Sequence, residues 1–331
     1  MIGERRFALG VQLIAAHRDP ITIAEGYSDL AEAAVIAIAD AVSDEFATTH
    51  GKIEGGELII LALGRLGGRA LTHASDLDLI FLFDAPEGSR SDGSKALPAT
   101  DYYNRLANRI SSALRTPTAA GPLYDVDTRL RPQGAQGMLA VSLDAFERYQ
   151  RQDAWTWEHM ALCRARPLTG STAAKVKAAS LIREILGDLG EPAKIRADAA
   201  AMREEMRRHK PPAGPLDIKL GEGGLVDLEF AVHTLQLVSK VGLDPRLEAA
   251  IAALVDAGLI DEGADPDLRL LSRVLVVLRL VAPSGSVEPA EQSRALLATL
   301  CGHPDWGSLV QSIEEARRRI AARWKRVKDD Q

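Results

Sequence analysis

Asp76-Leu-Asp78-Leu-Ile-Phe-Leu-Phe83 begins with two acids and is otherwise wholly apolar. A run of Leu, Ile and Phe without Gly or Pro reads as a buried strand. Side chains alternate along a strand, so Asp76 and Asp78 share one face. Two acids at the head of a buried strand need a compensating partner. Upstream, the apolar Leu61-Ala-Leu63 enters a turn, Gly64-Arg65-Leu-Gly67-Gly68, with ten residues between Arg65 and Asp76. Paired carboxylates near a glycine turn suggest a divalent metal held beside a phosphate. The ligand spacing of a calcium loop is absent. A second polar alternation follows in Leu123-Tyr-Asp125-Val-Asp127-Thr-Arg129-Leu-Arg131-Pro132. Read as a strand, it puts Asp125, Asp127, Arg129 and Arg131 on one face. Aspartate is disfavoured in strands, and a solvated face more often mixes Lys, Glu, Ser and Thr.

These residues need a sheet to hold them. Glu57 to Leu63 and Asp76 to Phe83 are predicted strands, and Met138 to Val141 is another short one after the Gly134–Gly137 turn. Residues 22–50 carry Tyr27, Leu30, Ala34, Val35, Ile38 and Val42 at helical spacing; residues 1–20 are ambiguous. Ala85 to Ala99, rich in Gly, Pro and Ser, reads as a mobile connecting loop, with a lid as the alternative. Asp101 to Leu114 reads as a helix with Thr100 as N-cap. Leu143 to Arg151 and Ala154 to Arg166 read as helices. Trp155 and Trp157 in the second read as core anchors, and His159 as a packed or hydrogen-bonded histidine. After Gly170 the texture is helical to the end: 176–189, 192–209, 224–241, 246–257, 267–281, 289–300 and 308–328. The Gly223-Gly224 pair opens one helix, with Asp227 in its first turn, where a carboxylate complements the helix dipole. A plain turn explains the glycines; alternatively, the turn and Lys219 face the active site of the other domain. The basic run Arg317-Arg-Arg, Arg323, Lys325, Arg326, Lys328 reads mostly as a solvated face. The expected organisation is α+β: a catalytic domain with a mixed β-sheet and flanking helices over 1–170, then an all-α helical bundle over 171–331.

The 331 residues, 46% hydrophobic and 26% charged, suit an ordinary soluble protein with a sizeable core. A net charge of -6 argues against a nonspecific nucleic-acid binder. Cys163 and Cys301 lack metal or redox spacing and read as buried reduced thiols. No apolar run approaches a membrane span, and no signal-peptide core is visible at the N-terminus. A cytoplasmic protein with no nucleic-acid or membrane partner is expected.

A glycine turn, an Asp-x-Asp strand and a third aspartate on a later strand make the layout of the nucleotidyltransferase superfamily. In that layout, backbone N–H groups of the turn approach a triphosphate without an intervening Cβ. Asp76 and Asp78 hold Mg²⁺, and a second Mg²⁺ is shared with Asp127. Two metals about 4 Å apart clamp the attacking and leaving oxygens of an in-line displacement at phosphorus. Asp127 accepts the proton of the attacking hydroxyl or lowers its pKa through the metal. Arg129 and Arg131 neutralise phosphates bidentately, and Lys219 adds charge.

Four blocks narrow this further. They are Gly64-Arg-Leu-Gly-Gly68 with Ser75-Asp-Leu-Asp-Leu79; Val126-Asp-Thr-Arg-Leu-Arg-Pro132; Ala154-Trp-Thr-Trp-Glu-His159 with Arg164-Ala-Arg166; and Asp217-Ile-Lys219 with Gly223-Gly-Leu-Val-Asp-Leu-Glu-Phe230. In this order, over about residues 55–240, they resemble the glutamine synthetase adenylyltransferase family. Its members carry two homologous halves, one adding AMP from ATP to a tyrosine of glutamine synthetase, the other removing it by phosphorolysis. The tryptophan block, with Thr116-Pro-Thr118 and Gly121-Pro-Leu-Tyr124, resembles the adenylylating C-terminal half. The resemblance implies ATP as substrate, two Mg²⁺ ions, catalytic Asp76, Asp78 and Asp127, and nucleotide contacts from Gly64, Arg65, Gly67, Gly68, Ser75, Arg129, Arg131 and Lys219. It implies glutamine synthetase as protein substrate, with glutamine and a PII-type signal protein as effectors. The chain has room for one half. The alternatives are the phosphorolytic direction and a weakened regulatory module binding glutamine or a PII-type protein. A nucleotidyltransferase of another substrate class ranks below both. Two positions depart from the family pattern: Arg65 stands where Lys is usual, and Ala70 where Glu is usual, which weakens the expected support of the glycine turn.

Overall fold

The computed structural model describes residues 2–118, 121–282 and 289–330. It divides into two compact units. Unit 1 holds Asp29–Gly68 and Ser75–Asp188 with the first residues of the chain; unit 2 holds Glu4–Ser28, Arg69–Ala74 and Leu189–Gln331. The chain opens with α1 (Ile2–Ile14) and the long α2 (Pro20–His50). The ambiguous first segment is thus helical. The division differs from the expected one at 170/171. Residues 172–187 form a helix that packs on the sheet of unit 1, and two short early segments group with the later helices.

In unit 1, β1 (Glu57–Ala62), the single helical turn α3 (Gly64–Gly67), β2 (Leu77–Asp84) and α4 (Ala99–Arg115) come first. β3 (Pro117–Thr118), antiparallel to β4 (Gly121–Pro122), precedes β5 (Val126–Asp127), β6 (Ala140–Ser142), α5 (Leu143–Gln152), α6 (Thr156–Leu162), β7 (Arg166–Pro167) and α7 (Thr172–Gly187). The sheet is small and mixed. β1 is antiparallel to β2 and to β7. The other edge of β2 is shared by two short parallel strands, β5 at residues 77–78 and β6 at 81–83. Ile59, Ile60, Leu61, Leu79, Phe81 and Leu82 are fully buried. Strands covered on both faces lose the polar alternation, hence the unbroken apolar runs. Each such side chain contributes about 1.5–3 kcal/mol, enough to fix β2 as the axis from which Asp76 and Asp78 project.

Several local expectations change. The alternating stretch 123–132 is strand only at Val126–Asp127; Thr128 onward is a turn, with the Arg131 N–H donating to Thr128 O (3.3 Å). Gln133 (φ 61°) and Gly134 (φ 56°) continue it into a turn of 3-10 helix. The helix expected over 154–166 ends at Leu162, because Arg166 and Pro167 pair with Ala62 and Leu61. Pro98, not Thr100, is the N-cap of α4, without a side-chain bond. The 85–98 loop is a connector tied back onto the end of α2 and the residues after it. An Arg90–Pro98 bridge closes it, and the Asp92, Gly93 and Lys95 N–H groups donate to the carbonyls of Lys52, His50 and Thr49. It leaves the far end of β2, about 20 Å along the strand from Asp78 at ~3.3 Å per residue, which disfavours a lid over the carboxylates. Trp155 is 70% exposed rather than buried, whereas His159 is a buried, hydrogen-bonded histidine, its Nε2 2.9 Å from Gln150 O.

Unit 2 continues through α8 (Pro192–His209), α9 (Leu225–Ser239), α10 (Leu247–Asp256), α11 (Ala264–Val281), α12 (Glu291–Leu300) and α13 (Trp306–Asp329). α9 is buried over most of its length and packs against α8, α10, α11 and α13, as a helix apolar all round must. Its first turn holds a buried ion pair. Arg203 Nε donates to Asp227 Oδ1 (2.5 Å), and Gly223 N–H donates to Oδ2 (2.6 Å). Gly223 (φ 68°) admits no side chain, since a Cβ would lie 2.0 Å from Arg317 O. The glycine pair is therefore explained by packing within unit 2. The basic run of α13 is not a solvated face at its inner positions. Arg323 pairs with Asp261 and Asp267, Arg319 with Asp267, and Arg317 donates to the carbonyls of Glu222 and Pro215. Cys163 and Cys301 are both buried, and burial pushes the Cys301 thiol up to about 12. No described helix is long and apolar enough to cross a membrane.

Candidate active site

The register of two short parallel strands builds the site. Leu77 lies opposite Val126, and Asp78 opposite Asp127. Leu77 N–H donates to Asp125 O (2.8 Å) and Leu63 N–H to Asp78 O (3.0 Å), which ties the glycine turn, β2 and β5 together. Leu77 and Val126 are buried. Alternation then turns Asp76, Asp78 and Asp127 to the opposite face. Each offers a carboxylate oxygen, and the three oxygens lie within 4.8 Å of one another. Asp76 is exposed, and Asp78 and Asp127 are half-buried. Such a set of hard, like-charged donors fits Mg²⁺, which prefers oxygen ligands and tolerates retained waters.

Asp127 has the most defined surroundings. Arg129 donates to it from its side chain, Nε lying 3.0 and 2.9 Å from the two oxygens, and from its backbone N–H at 2.8 Å. The guanidinium bonds hold the Asp127 carboxyl below the usual carboxylate range against the opposing effect of burial, with a further lowering from Arg115. Arg115, the last residue of α4, donates to Val126 O. It is a cation beside the site that sequence reasoning missed: a lone arginine at a helix end has no marking pattern. Arg129 is largely exposed, and Asp127 above all, with Asp76 and Asp78, raises its pKa.

The expected site residues are not placed alike. Asp76, Asp78, Asp127 and Arg129 come together. Arg131 does not continue their face. It donates to Thr128 O (2.8 Å), Thr128 Oγ1 (3.1 Å), Gly137 O (3.2 Å) and Ala135 O (3.1 Å), so it staples the 128–137 turn. Gly64 touches the site directly: φ is 53°, and a Cβ there would lie 2.1 Å from Asp78 Oδ2. The N–H groups of Gly67 and Gly68 donate to Leu63 O (2.8 Å) and Gly64 O (3.1 Å), closing the α3 turn. Arg65 and Ser75 are half-buried at the two ends of the spacer. Lys219 belongs to unit 2, in a turn where Asp217 Oδ1 accepts the N–H groups of residues 219 and 220. Ala70 lies in the 69–74 segment grouped with unit 2.

A sequence model described as glutamate-ammonia ligase adenylyltransferase matches residues 4–181. A second, described as GlnD PII-uridylyltransferase, matches residues 194–327. Relatives named bifunctional glutamine synthetase adenylyltransferase/adenylyl-removing enzyme include one from Mesorhizobium japonicum. It is 40% identical over 327 residues, which cover 96% of this chain and 33% of the relative. Those from Brucella suis and Rhizobium meliloti are both 37% identical, over 96% and 95% of this chain and 33% of each relative. The chain thus spans about a third of the length of the curated relatives it matches. With the first model matching more than half of its residues, the chain belongs to the glutamate-ammonia ligase adenylyltransferase family.

Proposed function

We propose that this chain transfers AMP from ATP to a tyrosine hydroxyl of glutamine synthetase, a modification that regulates nitrogen assimilation. The observation that carries the reading is the convergence of Asp76, Asp78 and Asp127 through the β2–β5 register. Unit 1 is then a nucleotidyltransferase fold. Asp76, Asp78 and Asp127 hold two Mg²⁺ ions, which supply Lewis-acid stabilisation of phosphoryl charge when bound. The tyrosine oxygen attacks the α-phosphorus, its bond to the β-phosphate oxygen breaks, and pyrophosphate leaves. Asp127, whose carboxylate oxygen lies in the acidic cluster, receives the hydroxyl proton. Arg129 is exposed and bidentate, so it can exchange the Asp127 carboxylate for a phosphate. Gly64, Arg65 and Ser75 line the turn side of the nucleotide, with Gly67 and Gly68 behind them, and Arg131 shapes the loop that presents Arg129.

A second reading, phosphorolytic removal of AMP, is favoured by one observation: the relatives are named for both activities. The similarity of residues 194–327 to a PII-uridylyltransferase model supports a PII-type protein as effector. Incubation with glutamine synthetase, Mg²⁺ and α-labelled ATP tests the first reading. Label is expected on a tyrosine with the native chain and absent with Asp76→Asn. Equal labelling by both sinks the metal assignment, and no tyrosine label with the native chain sinks the adenylylation reading. ADP release from adenylylated glutamine synthetase and phosphate would establish the second reading.

A further inference from the structure

The Arg164-Ala-Arg166 segment has so far no function, yet it meets the glycine turn from behind. Arg166 sits opposite Ala62 in the β7–β1 pairing, at the point where β1 gives way to the turn. Its Nε donates to Gly67 O (3.4 Å), and its two Nη groups fork onto Glu32 of α2 at 3.1 and 2.8 Å. Arg164 is buried. Its carbonyl oxygen lies 1.8 Å from where a Cβ of Gly67 would stand, and its Nη2 lies 2.4 Å from that of Gly68. On the front of the same turn, Asp78 Oδ2 lies 2.1 Å from the corresponding point of Gly64. Backbone contact therefore requires glycine at position 67, and positive φ with the Asp78 contact requires it at 64, while a side chain at 68 would displace the Arg164 guanidinium. The turn is pressed between a metal-facing carboxylate and a buried guanidinium.

From this geometry we infer that Arg164, Arg166 and Glu32 form a clamp of positioning residues that sets the glycine turn against Asp78 for a nucleoside triphosphate. The inference rests on the nucleotide reading given above. Arg166 needs its planar fork. One guanidinium must satisfy a carboxylate with two parallel bonds while a third N–H reaches Gly67 O, which a lysine ammonium cannot do in one orientation. Glu32 holds that fork in place. Arg164 adds a buried positive charge on the turn's rear face, where low dielectric lengthens its reach towards an anion in front. The support expected from position 70 is thus supplied from α2 and β7.

The test is equilibrium binding of Mg-ATP to the intact chain by calorimetry, with thermal unfolding recorded for every variant. Arg166→Lys and Glu32→Gln are each expected to weaken Mg-ATP binding by about 10- to 100-fold, the scale of a small misplacement of a binding group. The double variant is expected to bind no worse than the weaker single, since both act through one contact. Arg109→Ala removes an exposed ion pair with Glu45 and is expected to bind as the native chain does. A folded Arg166→Lys with native affinity overturns the clamp. If Arg166→Lys does not fold, native affinity in folded Glu32→Gln overturns it equally. A native chain that binds no Mg-ATP sinks the nucleotide reading itself.

Discussion

Unit 1 and unit 2 each gather aspartates and arginines, with opposite geometry. In unit 1, Asp76, Asp78 and Asp127 converge on one another, and Arg129 approaches Asp127 with an exposed guanidinium. In unit 2, Asp261 and Asp267 converge on Arg323, whose side chain is 3% exposed, and Arg319 closes the cluster from outside. Carboxylates that face each other are held together only at an electrostatic cost, which a bound cation removes. Carboxylates that face a buried guanidinium are already neutralised. The first arrangement leaves work for a ligand; the second leaves none. Arg203–Asp227 repeats the second pattern, with side chains 3% and 1% exposed.

Substitutions can break this contrast. The largest effect is expected at Asp78→Asn. Mg²⁺ affinity, followed by calorimetry, falls by more than about 100-fold, beyond what loss of an outer-shell partner costs. Thermal stability stays level or rises, because a like charge is gone. A variant that binds Mg²⁺ normally would place the ion elsewhere. Next comes Arg323→Ala, which strands Asp267 in the interior. A loss of about 3–5 kcal/mol in urea unfolding is expected, with Mg²⁺ binding unaltered; a loss below 1 kcal/mol would show the cluster to be ornamental. Third, saturating Mg²⁺ stabilises the native chain by about 2.7 kcal/mol at 100 times Kd. It leaves Asp76→Asn unmoved, as scanning calorimetry can check. The smallest effect concerns pH. Hydrogen bonds from Arg323 hold the Asp261 carboxyl below its ordinary value. Its contribution is therefore present above the unfolded pKa of about 3.9 and is lost as pH falls through the depressed folded value. Asp261 is partly exposed, so screening limits the contribution to under about 1 kcal/mol. Acid unfolding of Asp261→Asn should lack this share, and an identical acid limb would refute it.

β1, β2, α8 from end to end and the Asp76–Asp78 pair are legible because their signals are local. Apolar runs mark β1 and β2, Pro192 opens α8, and Asp-x-Asp needs no distant partner to be seen. Elsewhere the decisive interactions span the chain. Alternation promised a strand to residue 132, but β5 ends where its ladder with β2 ends, and the bonds of Arg131 select a turn. The α13 arginines looked solvated because Asp261 and Asp267 lie more than 50 residues away. Two tryptophans close together suggest a core anchor, yet Trp155 is exposed. Arg115 and Glu32 carried no pattern at all; only folding brings them to Val126 and Arg166.

Gly64 has no functional group, yet both its backbone angle and the adjacent Asp78 oxygen forbid a side chain. In a saturation mutagenesis screen this position should score as intolerant as Asp78 itself. An observer ranking positions by lost activity would find a residue without chemistry among the catalytic ones. Metal binding would separate the two. Gly64→Ala keeps all three carboxylates and fails by displacing one, so a compensating shift elsewhere can rescue it, whereas no second-site change restores the oxygen that Asp78→Asn removes.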